Sequence, residues 1–552
     1  MKPGSFVPFL LAGLLFFTSC SRKESMESRL IQLISRYAPT AITADTSMLS
    51  AGNRAALHEL IAAAQIMDSL YLRQVWSGNI RTLETLTADK SPEGQPMLRY
   101  FQINMGPWSK LDHDSAFVPG VPPRPLGANY YPEDMTKDEF NAWVASLPQT
   151  DQEKAKGFFT VIQRRSDRSL TMVSYSAEYR DLLSVAAGHL QNAAGLTDNA
   201  TLRDFLLKRA AAFGTDDYYE SDIAWMDLDS PIDVTIGPYE TYMDGLFNYK
   251  AAFEAFIGIR DSAETAKLAT FASHLQEIEN SLPIDPKYRN PHLGAMAPIR
   301  VIDEFAEGGE AKSGVQTAAF NLPNDDRIVR ERGSKRVMLK NVQEAKFSQI
   351  LKPIAGIAVD SNQRQLVSFE PFFTHILAHE LMHGLGPHNI TVKGTPSTVR
   401  LELKELYSAW EEAKADISGL FALRYLIDAG VVDKGMEQQM YVTYLAGVFR
   451  SVRFGITEAH GKGMALQFNY LLDHGAISYN PAAGTFAVDF TLIKPVCREL
   501  TGIIMTVEAE GDYNAAKELL GRYAVIRPSM QQTLDKLTGI PVDIAPEFPA
   551  EQ

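Results

Sequence analysis

Apolar residues recur at helical spacing along most of the chain, and proline and glycine fill the breaks between these runs. In residues 25–86, Leu30, Ile31, Leu33 and Ile34, then Leu57, Leu60, Ile61, Ala64 and Ile66 follow the helix period. Helical patterns resume over 137–159 and 177–213. They dominate the second half, at 372–384, 399–429, 436–452 and 463–473, with Gly430 as a helix stop. Residues 118–135 carry Pro119, Pro122, Pro123, Pro125 and Pro132, so an extended loop is expected there, since proline fixes φ and removes a donor. Residues 232–236 read as a short strand leading into Gly237-Pro238-Tyr239-Glu240-Thr241-Tyr242, followed by a helical or mixed stretch to about Leu282. A proline-rich patch over 283–298 places a lobe boundary near residue 300. These patterns predict an α+β, helix-rich fold in two lobes around a cleft. The N-terminal lobe is 20–300, with the strand and its loop; the helical C-terminal lobe is 301–552.

At 552 residues, two lobes are the expected solution, because single cores stop growing well below this length. The formal net charge of −14 argues against a nucleic-acid partner, which calls for a basic face. Residues 1–19 have the layout of an export signal: Lys2, an apolar run over 6–17, then Thr18-Ser19 before Cys20. Small residues directly before a cysteine resemble the bacterial lipoprotein-processing box, although Phe17 stands where leucine is usual. Cys20 is therefore the expected lipidation site, and the expected location is an exported protein tethered by lipid to a bacterial membrane, the outer membrane facing periplasm or surface. Cys497 is then the sole remaining cysteine, so no internal disulfide is expected.

The chemistry centres on His379-Glu380-Leu381-Met382-His383. Two histidines four apart share a helix face and can reach one zinc ion, with Glu380 placed to take a proton from water. Catalytic zinc takes three protein ligands and one open position. Two candidates exist for the third. His388 approaches the pattern HExxHxxGxxH, but that pattern would put its last histidine at Asn389. Alternatively, Glu411-Glu412-Ala413-Lys414-Ala415-Asp416 offers a carboxylate ligand with neighbouring carboxylates able to accept a histidine N–H.

HELMHG followed by EEAKAD resembles the paired motifs HExxGH and EExxA(E/D) of the dipeptidyl peptidase III family of zinc exopeptidases. The NLPNDDR segment at 321–327 is similar to that family's NxPNxDxxR. Glu240-Thr241-Tyr242 resembles its ETY motif, and Glu458-Ala459-His460 its histidine-bearing segment. The matches run in the family's order over roughly 230–475. The resemblance implies one zinc per chain held by His379, His383 and Glu412, with Glu411 and Asp416 supporting them. It implies Glu380, Tyr242 and His460 as catalytic residues, and Glu240, Asn321 and Asn324 as holders of a peptide's free amino terminus. The expected activity is release of dipeptides from short peptides; a weakly active peptide-binding lipoprotein and a zinc endopeptidase or aminopeptidase are the alternatives. Two departures stand out. The zinc motif lacks the residue that the family inserts between the histidines, and Met464 occupies a place where an arginine is expected.

Overall fold

The computed structural model describes residues 25–293 and 298–549. The expected export signal and Cys20 lie outside the described residues. Strand β1 (Tyr37–Ala41) precedes the long helix α1 (Ala51–Val75), whose Ser50 side chain caps the free N–H of Asn53. Helix α2 (Arg180–Leu196) packs along α1. The apolar positions read from the sequence in α1, among them Leu57, Leu60, Ile61 and Ala64, are all buried.

The N-terminal lobe is organised by a five-stranded sheet of β2 (Ile232–Glu240), β3 (Ala252–Arg260), β4 (Ile299–Gly309), β5 (Ala319–Leu322) and β6 (Lys335–Leu339). Its order is β2-β3-β4-β6-β5, parallel only between β4 and β6. The sheet curls strongly. Phe256 on β3 stacks on Phe320 of edge strand β5, with ring centroids 4.6 Å apart. Lys335 on β6 lies 3.9 Å from Asp233 on the opposite edge strand β2, and both are buried. Side chains that meet across so many strands define a nearly closed barrel. The division expected at residue 300 therefore falls inside this sheet, because β4 pairs with β3 on one side and with β6 on the other. The strand at 252–260 occupies part of a stretch expected as helical or mixed. Its residues are buried on both faces, so it shows no alternation of polar and apolar positions.

The C-terminal lobe is a helix bundle built on α3 (Phe369–Met382), α4 (Tyr407–Asp428), α5 (Met436–Val452), α6 (Ala459–Asp473) and α7 (Ile493–Glu510). The helical pattern expected over 399–429 is interrupted at Lys404, whose φ of 53° breaks the helix before α4. Strand β7 (Asp543–Glu547) then returns to the N-terminal lobe and pairs in parallel with β1. The fold is thus α+β and helix-rich, with two lobes facing a cleft.

Candidate metal centre

The centre forms where α3 crosses α4, and a glycine makes the crossing possible. A Cβ at Gly419 of α4 would stand 3.2 Å from the backbone nitrogen of His379 and 3.4 Å from the His375 ring. At this close approach His379 and His383 project toward α4 with their Nε2 atoms 3.1 Å apart. Glu412 of α4 brings its Oε2 to 3.3 Å from His379 Nε2 and 3.9 Å from His383 Nε2. Among the described residues these three form the one group whose ligand atoms lie within 4.8 Å of one another. His388 lies outside that group.

Each histidine is held at its other nitrogen by a carboxylate. His379 Nδ1 donates to Asp416 Oδ1 at 2.8 Å, and His383 Nδ1 donates to Glu411 Oε1 at 2.8 Å. An ionised carboxylate only accepts, so each Nδ1 carries a proton, and a neutral imidazole in that tautomer offers its Nε2 lone pair to a metal. Glu412 Oε2 is buried and makes no hydrogen bond. Two imidazole lone pairs facing a buried, unbonded carboxylate oxygen make a donor set that fits a divalent cation such as zinc.

The supporting residues beyond Glu411 and Asp416 could not be read from the sequence. Asp416 Oδ2 receives Gln467 Nε2 at 3.4 Å, and Gln467 Oε1 in turn receives the Tyr444 hydroxyl at 2.8 Å. His375 Nε2 donates to the Asp416 carbonyl at 3.0 Å. On the other side, Lys414 Nζ donates to Glu411 Oε1 at 2.8 Å and to the Leu385 carbonyl at 3.3 Å. Burial alone would raise the Glu411 carboxyl, but the His383 hydrogen bond and the Lys414 charge hold it down at about 2. Glu508 on α7 is buried nearby with neither oxygen hydrogen-bonded, and burial pushes it well above the usual carboxylate range. Past His383 the chain leaves the helix at Gly386, with φ of 77°, and the Gly386 N–H donates to the buried Glu279 carboxylate at 2.8 Å.

Glu380 follows His379 on α3 and is half-buried. His460 opens α6 and places its Nε2 3.2 Å from Glu412 Oε2 with 67% of its side chain exposed. Gly463 allows this, since a Cβ there would come within 2.9 Å of the Ala413 backbone nitrogen on α4. Met464 is buried (6% exposed), so that position faces the core and offers no contact in the cleft. Tyr242 is 74% exposed just beyond β2, and the negative charge of Glu240, with burial, raises its hydroxyl above the usual tyrosine range. Glu240 ends β2 half-buried, and burial raises its carboxyl. Asn324 donates its Nδ2 to the Tyr239 carbonyl at 2.9 Å, which ties it beside Glu240 and leaves its Oδ1 turned away from that bond. Asn321 sits on β5 opposite Arg336 of β6. Among the described residues Arg336 forms no ion pair within 4.0 Å; burial lowers its guanidinium, and the Glu380 charge opposes that.

The sequence profile of peptidase family M49 matches residues 132–393. The solved structure of dipeptidyl peptidase III from Caldithrix abyssi superposes with a TM-score of 0.92 at 48% identity, covering 94% of this chain and 99% of that one. The dipeptidyl-peptidase III of Corallococcus sp. strain EGB superposes with a TM-score of 0.83 at 52% identity, covering 95% and 98%. A plant relative, named Nudix hydrolase 3 in Arabidopsis thaliana, is 44% identical over 95% of this chain and 74% of its own length. Fold and site together define a metallopeptidase. The chain belongs to peptidase family M49, the family of dipeptidyl peptidase III.

Proposed function

We propose that the protein is a zinc exopeptidase that releases dipeptides from the free amino terminus of short peptides. The observation that carries this reading is the convergence of two Nε2 lone pairs and the unbonded Glu412 Oε2, each imidazole locked by its own carboxylate. His379, His383 and Glu412 would hold the zinc, which when bound supplies Lewis acidity to the scissile carbonyl and the attacking water. Glu380 takes the water's proton and delivers it to the leaving amine, so one carboxylate serves as base and then as acid. The Tyr242 hydroxyl and His460 donate to the oxygen on which negative charge develops. The motif's five-residue spacing keeps both histidines on one ordinary helical turn, so holding the metal needs no bulge.

Glu240 pairs with the substrate ammonium, Asn324 Oδ1 accepts one of its N–H bonds while Nδ2 is held by the Tyr239 carbonyl, and Asn321 fixes the direction of the chain. A fixed ammonium site acts as a ruler, because an extended peptide advances about 3.3 Å per residue. Mass spectrometry of unblocked tetra- to octapeptides should show amino-terminal dipeptides, with acetylated versions cut far more slowly. Equal cleavage of free and acetylated peptides, or internal cuts without dipeptide release, would overturn the exopeptidase reading.

We propose further that Cys20 carries a lipid tether. The support is the layout of residues 1–20, together with the finding that no described helix is long and apolar enough to cross a membrane. Cys20→Ser should move the protein into a soluble exported fraction on cell fractionation, and continued membrane retention would refute the tether.

A further inference from the structure

Lys414 sits between Glu411 of the metal motif and a further buried acid, Glu508, and its polar contacts do not include a metal ligand. Its side chain is 0% exposed. A lysine taken wholly out of water is costly unless its charge is met, so its contacts describe what it is for. Those contacts are few. Nζ lies 2.8 Å from Glu411 Oε1 and 3.3 Å from the Leu385 carbonyl. Glu411 Oε1 is the same atom that accepts His383 Nδ1 at 2.8 Å, and Leu385 stands two residues after His383. The ammonium thus grips both the carboxylate behind the ring and the backbone that carries it. Neither oxygen of Glu508, on α7, is hydrogen-bonded, so no Glu508 oxygen competes for a hydrogen bond from Lys414.

We infer that Lys414 is a positioning residue for metal binding: its charge-assisted bond pins Glu411 Oε1 at His383 Nδ1 and so keeps His383 Nε2 aimed at the metal. The inference rests on the proposed metal-binding reading. His383 is the ligand that needs such a device, because it stands at the end of α3, where the helix no longer fixes the following residues. Its side chain is also the more open of the two, 28% exposed against 10% for His379.

The test uses the full chain, stripped of metal and titrated with zinc against a chromogenic chelator. Lys414→Met should weaken zinc binding by roughly 10- to 100-fold, the range seen when the partner of a ligating histidine is lost. Lys414→Arg should restore most of that loss, since a guanidinium can make the same charged contact, whereas a lysine that merely fills space would not be replaced by it. Should Lys414→Met fail to fold, the double variant Lys414→Met/Glu508→Leu removes the cation together with the buried acid beside it and must show the same weakening. A folded Met variant, single or double, that binds zinc within about threefold of wild type overturns the inference, and so does a folded Lys414→Arg as weak as Lys414→Met. Wild-type protein that takes up no zinc would instead sink the proposed function, so the two failures are told apart.

Discussion

The two histidines of the metal centre are supported in different ways, although each carboxylate does the same work. Behind His379 the support is neutral: Asp416 is held by the Gln467 amide and by way of it the Tyr444 hydroxyl, from α6 and α5. Behind His383 the support is ionic, with Glu411 held by the buried Lys414 next to Glu508 of α7. The location explains the choice. His379 lies inside α3 against Gly419, where packing already fixes the ring and neutral hydrogen bonds suffice. His383 lies at the helix end with a more open ring, and a charge-assisted contact is the stronger restraint. A histidine can thus be held in place by close packing or by charge, and one pair of helices employs both.

The comparison can be broken in several places. The largest effect is expected from Glu412→Ala, which removes the ligand both arms share: metal content measured by plasma emission should fall from about one per chain to near none. His388→Ala, outside the centre, should leave it unchanged. Glu380→Gln should keep its metal yet lose roughly 10²- to 10⁴-fold in kcat, because the base acts only in the chemical step. Next come the arms themselves. Glu411→Gln and Asp416→Asn should each weaken zinc binding by roughly 10- to 100-fold. They should part in stability, since Glu411→Gln leaves Lys414 a buried cation without its partner, at a cost of about 3–5 kcal/mol. Asp416→Asn keeps an acceptor for the His379 and Gln467 N–H groups and should cost about 1–3 kcal/mol. Denaturant unfolding of the metal-free proteins separates the two, and equal losses would erase the distinction drawn between the arms. The smallest effect belongs to Tyr444→Phe, which deletes the outermost hydrogen bond of the neutral arm and should cost about 1 kcal/mol with zinc affinity within tenfold of wild type.

How much of this was legible in the sequence follows from how local each feature is. The histidine pair, and Glu412 with Asp416, are each spaced four apart, so their shared faces could be read directly, while Glu411 points about a quarter turn away. Lys414 stands inside the same motif, yet nothing in its spacing shows that it is buried; that depends on Glu508, nearly a hundred residues on. Gln467 and Tyr444 became visible only once α5 and α6 were packed against α4. The strand at 252–260 escaped because a strand covered on both faces reads as a plain apolar run. The lobe boundary was misplaced because proline-rich composition marks a loop, whereas sheet membership is decided by pairing partners far along the chain. Met464 shows the opposite case. Its place after His460 suggested a contact in the cleft, and only the packing of α6 reveals that it faces inward.

The parallel pairing of Tyr37–Ala41 with Asp543–Glu547 sets a timetable for biosynthesis. The first strand of the N-terminal lobe leaves the ribosome without its partner and waits while some five hundred further residues are made. At about 5–20 residues per second that interval is roughly half a minute to two minutes. Through all of it β1 carries an unmatched edge, open to any passing strand. The strand at 37–41 can pair only once residues 543–547 exist, so the lobe that emerges first is completed last.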